Sequence, residues 1–421
     1  MRFSLPYGNG SCELDLPSHS GVRLAGCSFP DAVRSVEREL EGALLKPIGA
    51  APLERRIPRS GRISILISDL TRGAGTGTVL GLLLAYLEAH GAGPERVCVI
   101  LATGMHRGRR REELESQLGA GVLSRWNVVE HDALDRSALT EVGTTATGSP
   151  YLFNSRAVES ALVIALGTVS FHYFAGFGGA RKLIVPGIAG ERTILANHRL
   201  SLGKDPGAGL ADGCRPGNLD GNPVHEDMLA GARLMPAPLF AINLIPDDAG
   251  DIVFLNAGEL DQSHRAACDF LSSRFRVPVD RLYKAVILSA GGFPGDINLL
   301  QSHKALRQAS YALEDGGVML AAAACAEGVG SDSYLGAFKN GRQRVPDTIR
   351  KRYTLNAQTA MSTYELTVRF SVYLKSSLPD AVITRFGFCP WKDGYSDYLL
   401  EGIADEDILV IARASQFLPG R

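Results

Sequence analysis

Short runs of apolar, β-branched residues recur along this chain, and most are followed by a glycine-rich or polar turn and a helical pattern. That alternation is the signature of an α/β fold. Residues 62–68 (RISILIS), 97–102 (VCVILA), 126–130 and 161–167 (ALVIALG) predict four buried strands. Residues 78–90, 110–118 and 191–200 predict helices, the first stopping at Gly91 and the second at Gly119. Continuously apolar strands joined by helices imply parallel pairing with helices on both faces. A second block begins at 286–290 (VILSA), with further strands predicted at 318–324 and 381–385. The polar, proline-containing stretch 272–279 (SSRFRVPV) reads as a linker. The expected fold is therefore α/β, with two α/β domains of mainly parallel sheets flanked by helices. The first spans 1–272 and carries the chemistry. The second spans 273–421 and closes over the substrate, leaving an active-site cleft between them.

Composition excludes several classes. The formal net charge of −1 removes charge-driven binding to nucleic acid or to an anionic membrane as the default role. The longest apolar stretches, 79–87 and 318–324, are far shorter than the ~20 residues of a membrane-spanning helix. The opening MRFSLPYGNG lacks the apolar core of a signal peptide, so a soluble, cytoplasmic protein is expected. Seven dispersed cysteines form no CxxC pair, which argues against a disulfide framework or a thiolate zinc site. Glycine is abundant, 47 of 421 residues, as expected where backbone turns tightly or approaches a ligand.

In an open parallel sheet, ligands collect at the carboxyl ends of the strands, and four such loops hold the chemically interesting residues. Asp69-Leu70-Thr71-Arg72 follows RISILIS, where an arginine is placed to fork a carboxylate; an Asp–Arg surface pair is the plainer alternative. The following GAGTG matches neither dinucleotide nor P-loop spacing. His106 closes Ala102-Thr103-Gly104-Met105-His106, a loop position from which a histidine can serve as acid or base. The segment His172-Tyr173-Phe174-Ala175-Gly176-Phe177-Gly178-Gly179-Ala180-Arg181-Lys182 leads through Val185-Pro186-Gly187 to Asn197-His198. Its glycines leave room for a bulky group against the backbone. Its histidines fit no standard zinc spacing. Finally, Asp296-Ile297-Asn298 runs to Gln301-Ser302-His303-Lys304; Gln301 and Lys304 share a helix face, with His303 on another, as a supporting or surface residue.

Taken together, these four segments resemble the nickel-dependent lactate racemase family, whose patterns D-x-T-R, A-T-G-x-H-R, H-Y-F-A-G-F-G-G-x-R-K with a downstream P-G and N-H, and D-x-N-L-x-Q-x-x-K recur here in order from Asp69 to Lys304. The resemblance implies a racemase or epimerase that inverts C2 of a 2-hydroxy acid. It implies a nickel-pincer nucleotide (a pyridinium-3-thioamide-5-thiocarboxylic acid mononucleotide holding nickel) tethered to Lys182 beside Gly178 and Gly179. His198 is then the nickel ligand, and His106 and His172 the acid/base pair. Arg72, Gln301 and Lys304 are the substrate contacts, with Asp69 orienting Arg72 or His106. Cofactor-biosynthesis proteins are implied partners. Gly73 and Gly75 stand where the family often has prolines, Leu300 where an aromatic residue commonly precedes the glutamine, and no tryptophan of the lactate pocket is placed, Met361 and Tyr364 being the candidates near it. These departures leave the substrate open between lactate and a larger 2-hydroxy acid. Two other classes compete: a non-catalytic cofactor-binding paralogue, which has no use for His106, His172 and Arg72, and a lysine Schiff-base enzyme built on Lys182, which leaves His198 idle.

Overall fold

The computed structural model describes residues 2–15, 21–26, 29–68, 75–106, 111–205, 209–247, 249–392, 394 and 396–420. Asp69 and Arg72 lie outside the described residues.

Two six-stranded sheets organise the chain. The first runs Ile252–Gly258, Leu239–Pro246, Leu162–Thr168, Ile63–Ile67, Val97–Leu101, Asn127–Glu130. All neighbours are parallel except Ile252–Gly258, which returns antiparallel beside Leu239–Pro246. The second runs Cys389–Pro390, Ser371–Lys375, Leu313–Ala322, Tyr283–Ser289, Ile408–Ile411, Arg23–Ala25, and is parallel throughout. Strand Ile63–Ile67 illustrates why these sheets are buried on both sides. Ile63, Ile65 and Ile67 point into one core with helices Val36–Leu45 and Thr76–Ala89, while Leu66 points into another with the helices Ala180–Ile184 and Pro223–Ala232. Alternation of this kind follows from the two-residue period of a strand.

Three expectations are corrected. Residues 381–385 belong to a helix, Asp380–Arg385, which follows Pro379 and buries only Ile383. The strand of that block lies upstream at Ser371–Lys375, and a short apolar run does not distinguish the two forms. Residues 272–279 are not an irregular linker. Helix Leu260–Phe275 takes in the first of them, and Arg276–Pro278 pairs with Leu418–Gly420. The amino terminus also works with the second sheet. Arg23–Ala25 is its edge strand, and Phe3, Leu5, Cys12 and Leu14 of the Arg2–Tyr7/Gly10–Asp15 hairpin pack on Ala285 and Ile287.

Strand order locates the reactive loops. The chain crosses from Asn127–Glu130 back to Leu162–Thr168 on the far side of Ile63–Ile67, so the first sheet has its switch point between those two central strands. The second has one between Tyr283–Ser289 and Ile408–Ile411. Loops leaving the carboxyl ends of strands at such points diverge and leave a crevice for a ligand.

Candidate active site

Immediately after the switch-point strand Leu162–Thr168, residues 171–177 form a tight two-stranded turn, Phe171 pairing with Phe177 and His172 with Gly176. The following helix Ala180–Ile184 is drawn against the sheet because glycines remove the side chains in between. Gly179 has φ +113°, and a Cβ there would lie 2.6 Å from the His264 ring. A Cβ on Gly167 would meet the Ala180 backbone nitrogen at 2.7 Å. The space beside Gly178 and Gly179 is thus filled by protein, and their effect is to fix the start of the lysine helix. Gly179 carbonyl accepts the Lys182 N–H at 2.9 Å.

This geometry brings three of the expected residues together. Lys182 Nζ lies 2.8 Å from His172 Nε2, and both side chains are buried. Phe174 is their common neighbour. Its ring meets those of His172 and His198 edge-on, at centroid distances of 4.6 and 5.0 Å, and Lys182 Nζ lies 5.5 Å from its centroid. His172 Nδ1 accepts the Ala175 N–H at 3.2 Å, which fixes the ring's orientation and turns Nε2 toward Lys182. The 2.8 Å contact couples the lysine nitrogen directly to this imidazole, one nitrogen donating to the other.

His198 ends the helix Glu191–Arg199 and is buried; Asn197 Oδ1 lies 3.2 Å from its Nδ1. Burial first, and then any positive charge on Lys182, pulls its pKa down to about 3, so the imidazole is neutral and a competent metal donor at physiological pH. Among the described residues, no cluster of three or more His, Cys, Asp or Glu side chains is arranged to hold a metal ion. Near Lys182 the chain offers the neutral imidazole of His198 and, 2.8 Å from the amine, the ring of His172. This set suits a metal whose remaining ligands arrive with an attached organic group.

The other expected residues occupy neighbouring elements. His106 is exposed on the loop after Val97–Leu101. That loop abuts the turn leaving the lysine helix, the Gly104 N–H donating to Gly187 carbonyl at 2.9 Å. Gln301 and Lys304 are half-buried on helix Leu299–Ala309, and the Lys304 ammonium donates to Gln301 Oε1. The same helix carries His303, which is fully buried rather than at the surface. Its ring packs edge-on against Tyr173, centroids 5.1 Å apart. The residue adjacent to His172 therefore touches the second unit, and Tyr173 Oη also lies 2.6 Å from Thr359 Oγ1.

Several residues of consequence were not singled out by sequence. Arg181 is fully buried, its guanidinium donating to the carbonyls of Ala175 at 2.9 Å and Phe177 at 3.0 Å. Burial lowers its pKa to about 10, still a cation, and it braces the turn that carries His172. The adjacency of an arginine to the lysine was a signal, but it reads equally as a solvated pair. Asp227 and the amide of Asn197 form a buried polar group behind His198.

Comparison with known proteins bears on the chain as a whole. Residues 7–210 match the lactate racemase N-terminal domain and residues 281–377 the lactate racemase C-terminal domain. The chain is 34% identical to a lactate racemase of Thermoanaerobacterium thermosaccharolyticum over 346 residues, 81% of this chain and 78% of that protein. It is 30% identical to a lactate racemase of Lactiplantibacillus plantarum over 336 residues, 79% and 77% of the two chains. The solved lactate racemase apoprotein from T. thermosaccharolyticum superposes with a TM-score of 0.89 at 28% identity, each chain covered completely. A Thermotoga maritima crystal structure shares the fold alone, with a TM-score of 0.69 at 18% identity over 93% of this chain and 100% of that one. The family models and the two relatives mark this chain as an isomerase of the racemase class. The chain belongs to the lactate racemase family.

Proposed function

We propose that this protein racemises or epimerises a 2-hydroxy acid at C2, with lactate as the first substrate to test, using a lysine-tethered nickel-pincer nucleotide supplied by cofactor-biosynthesis proteins. The observation that carries the reading is the cluster of Lys182, His172 and His198 on Phe174. Lys182, buried beside His172, is the side chain that would hold the tethered group. Neutral His198 is the donor the chain itself would give to nickel. Gly178 and Gly179 contribute by setting the lysine's position, with their backbone beside it. When bound, the nickel-pincer group would supply hydride-acceptor chemistry for the C2 hydrogen, with Lys182 and His198 holding it.

The Cα–H of a 2-hydroxy acid is weakly acidic beside a carboxylate, so removing it as a proton is unfavourable. Removing the hydroxyl proton as that hydrogen departs avoids a carbanion. His172 Nε2 is one proton-handling atom, and His106, on the loop against the lysine helix, is the other. Two such groups are needed because inversion presents the hydroxyl to opposite sides. Arg72 would fork the carboxylate, with Asp69 orienting it or His106, and Gln301 and Lys304 would approach from the second unit, which closes over the substrate as residues 273–421 with the amino-terminal strands. Closure excludes water from a transient 2-oxo acid.

The test is intact mass and nickel content of protein co-produced with the cofactor-making proteins, followed by loss of optical activity of single enantiomers across a panel of 2-hydroxy acids. A mass increment on Lys182, about one nickel per chain and racemisation of lactate support the whole reading. Turnover of only a larger acid moves the substrate. An unmodified, nickel-free chain from a competent host rejects the cofactor assignment.

A further inference from the structure

Asp227, on helix Pro223–Ala232, is only 2% exposed yet accepts four hydrogen bonds on its carboxylate. The hydroxyls of Thr145 and Thr147 donate to Oδ1 at 2.5 and 2.6 Å, and Tyr151 Oη and Asn197 Nδ2 donate to Oδ2 at 2.7 and 2.9 Å. Asn197 Nδ2 also donates to the Val224 carbonyl at 3.2 Å. Both hydrogens of the Asn197 amide are therefore directed at acceptors. Turning the amide over would set its oxygen against a carboxylate and a carbonyl, so its orientation is fixed by Asp227. The Asn197 oxygen is left facing His198 Nδ1 at 3.2 Å. An amide oxygen only accepts, so His198 carries its proton on Nδ1 and keeps the lone pair on Nε2. Among the described residues Nε2 makes no hydrogen bond.

We propose that Asp227, acting through Asn197, is the positioning pair that holds His198 as its Nδ1–H tautomer and presents Nε2 as the metal donor. The inference rests on the reading of His198 as the nickel ligand. A carboxylate or carbonyl behind a ligating imidazole commonly sets both its tautomer and its basicity. Here the carboxylate acts one residue removed, with the amide transmitting its direction. Thr145, Thr147 and Tyr151 keep the carboxylate from rotating, and burial, then Asp227 itself, raises the Tyr151 pKa so that its phenol stays a donor.

The experiment reads the tautomer and the metal separately. Full-length cofactor-free chain labelled with 15N-histidine is examined by long-range nitrogen–proton correlation near pH 7, with His198→Ala giving the assignment. The expected result is His198 as Nδ1–H in the unsubstituted protein and a shift toward Nε2–H in Asn197→Ala. In cofactor-loaded chain, Asn197→Ala and Asp227→Asn are expected to lose nickel to a competing chelator at about 10–100-fold lower chelator concentration, the usual range for removing a supporting partner. Finding His198 as Nε2–H in the unsubstituted chain overturns the proposal, and that measurement does not depend on any variant folding. An Asn197→Ala protein with unchanged tautomer and nickel retention also overturns it. Loaded, unsubstituted chain that holds no nickel through His198 would instead reject the ligand assignment, while the tautomer would still decide the role of Asp227 and Asn197.

Discussion

Tyr173 Oη and Thr359 Oγ1 lie 2.6 Å apart in a fully buried contact, so the residue next to His172 is bonded to helix Ala357–Arg369, which packs on the second sheet. A buried hydroxyl that loses its partner retains its desolvation penalty, whereas removing both partners is nearly neutral. Tyr173→Phe and Thr359→Val should each cost about 1–2 kcal/mol, and the double variant clearly less than both together. Denaturant unfolding of the three variants measures this; strict additivity would mean the two hydroxyls do not interact.

A second link between the units runs through Glu365, which meets Leu210 of the first and is paired with Arg307 inside its own. Arg307 Nη1 lies 3.2 Å from Glu365 Oε2, with the side chains 11% and 22% exposed, and Glu365 Oε1 accepts the Leu210 N–H at 2.9 Å. Burial raises the Glu365 pKa and Arg307 opposes that rise. Arg307→Ala strands a buried carboxylate and should destabilise by on the order of 3 kcal/mol. The exposed Arg369–Asp315 pair is the contrast, and Arg369→Ala should cost less than about 1 kcal/mol. Unfolding midpoints for the two variants decide whether burial sets the difference.

Acid should destabilise the fold earlier than carboxylate protonation alone would. Burial, reinforced by nearby arginines, holds the pKa of His225 at about 2 and of His264 at about 3; burial, then Arg307 and Lys304, holds His303 at about 3. Each unfolded histidine takes its proton near pH 6.5, so the unfolded state binds more protons below that pH. Their stabilisation is complete above about pH 6.5 and is lost as pH falls toward 3, together by about 4 kcal/mol per pH unit at the steepest. Unfolding free energies at pH 7, 6 and 5 test this. His225→Leu, which removes a ring with no hydrogen bond among the described residues, should flatten the slope by about 1.4 kcal/mol per pH unit at the steepest.

Gly179→Ala should disturb the lysine more than a single methyl group suggests. The position has φ +113° and the new Cβ would meet the His264 ring at 2.6 Å, with neighbours buried on all sides. A loss of about 2–3 kcal/mol is expected from strain and overpacking. Cofactor attachment at Lys182 should fall with it, read as the modified fraction by intact mass.

Metal binding and proton transfer should separate by substitution. His198→Ala should leave the fold intact and abolish nickel retention, while His106→Ala should keep nickel and lower turnover by about 100-fold or more, as for a lost acid/base group. Nickel content and racemisation rate measured on the same samples check both. Full activity in His106→Ala would remove that residue from the chemistry.

Much of this protein was determined by local sequence. The runs RISILIS, VCVILA and ALVIALG became the strands Ile63–Ile67, Val97–Leu101 and Leu162–Thr168 because a continuously apolar segment followed by a turn has few uses other than a doubly covered parallel strand. The same local logic failed at residues 381–385, where helix and strand bury a short apolar run about equally well, and at 272–279, where a polar helix end and an edge pair resembled a linker. Lys182, His172 and His198 could be singled out because residue type and spacing are sequence properties. Tertiary structure alone decided that their rings and amine meet on Phe174, that His303 is buried on Tyr173, and that Asp227 reaches His198 through Asn197. It also assigned the amino-terminal hairpin and edge strand to a sheet built mainly from residues beyond 280. Those relations depend on which distant side chains are left to satisfy one another once water is excluded, and periodicity along the chain carries no record of that.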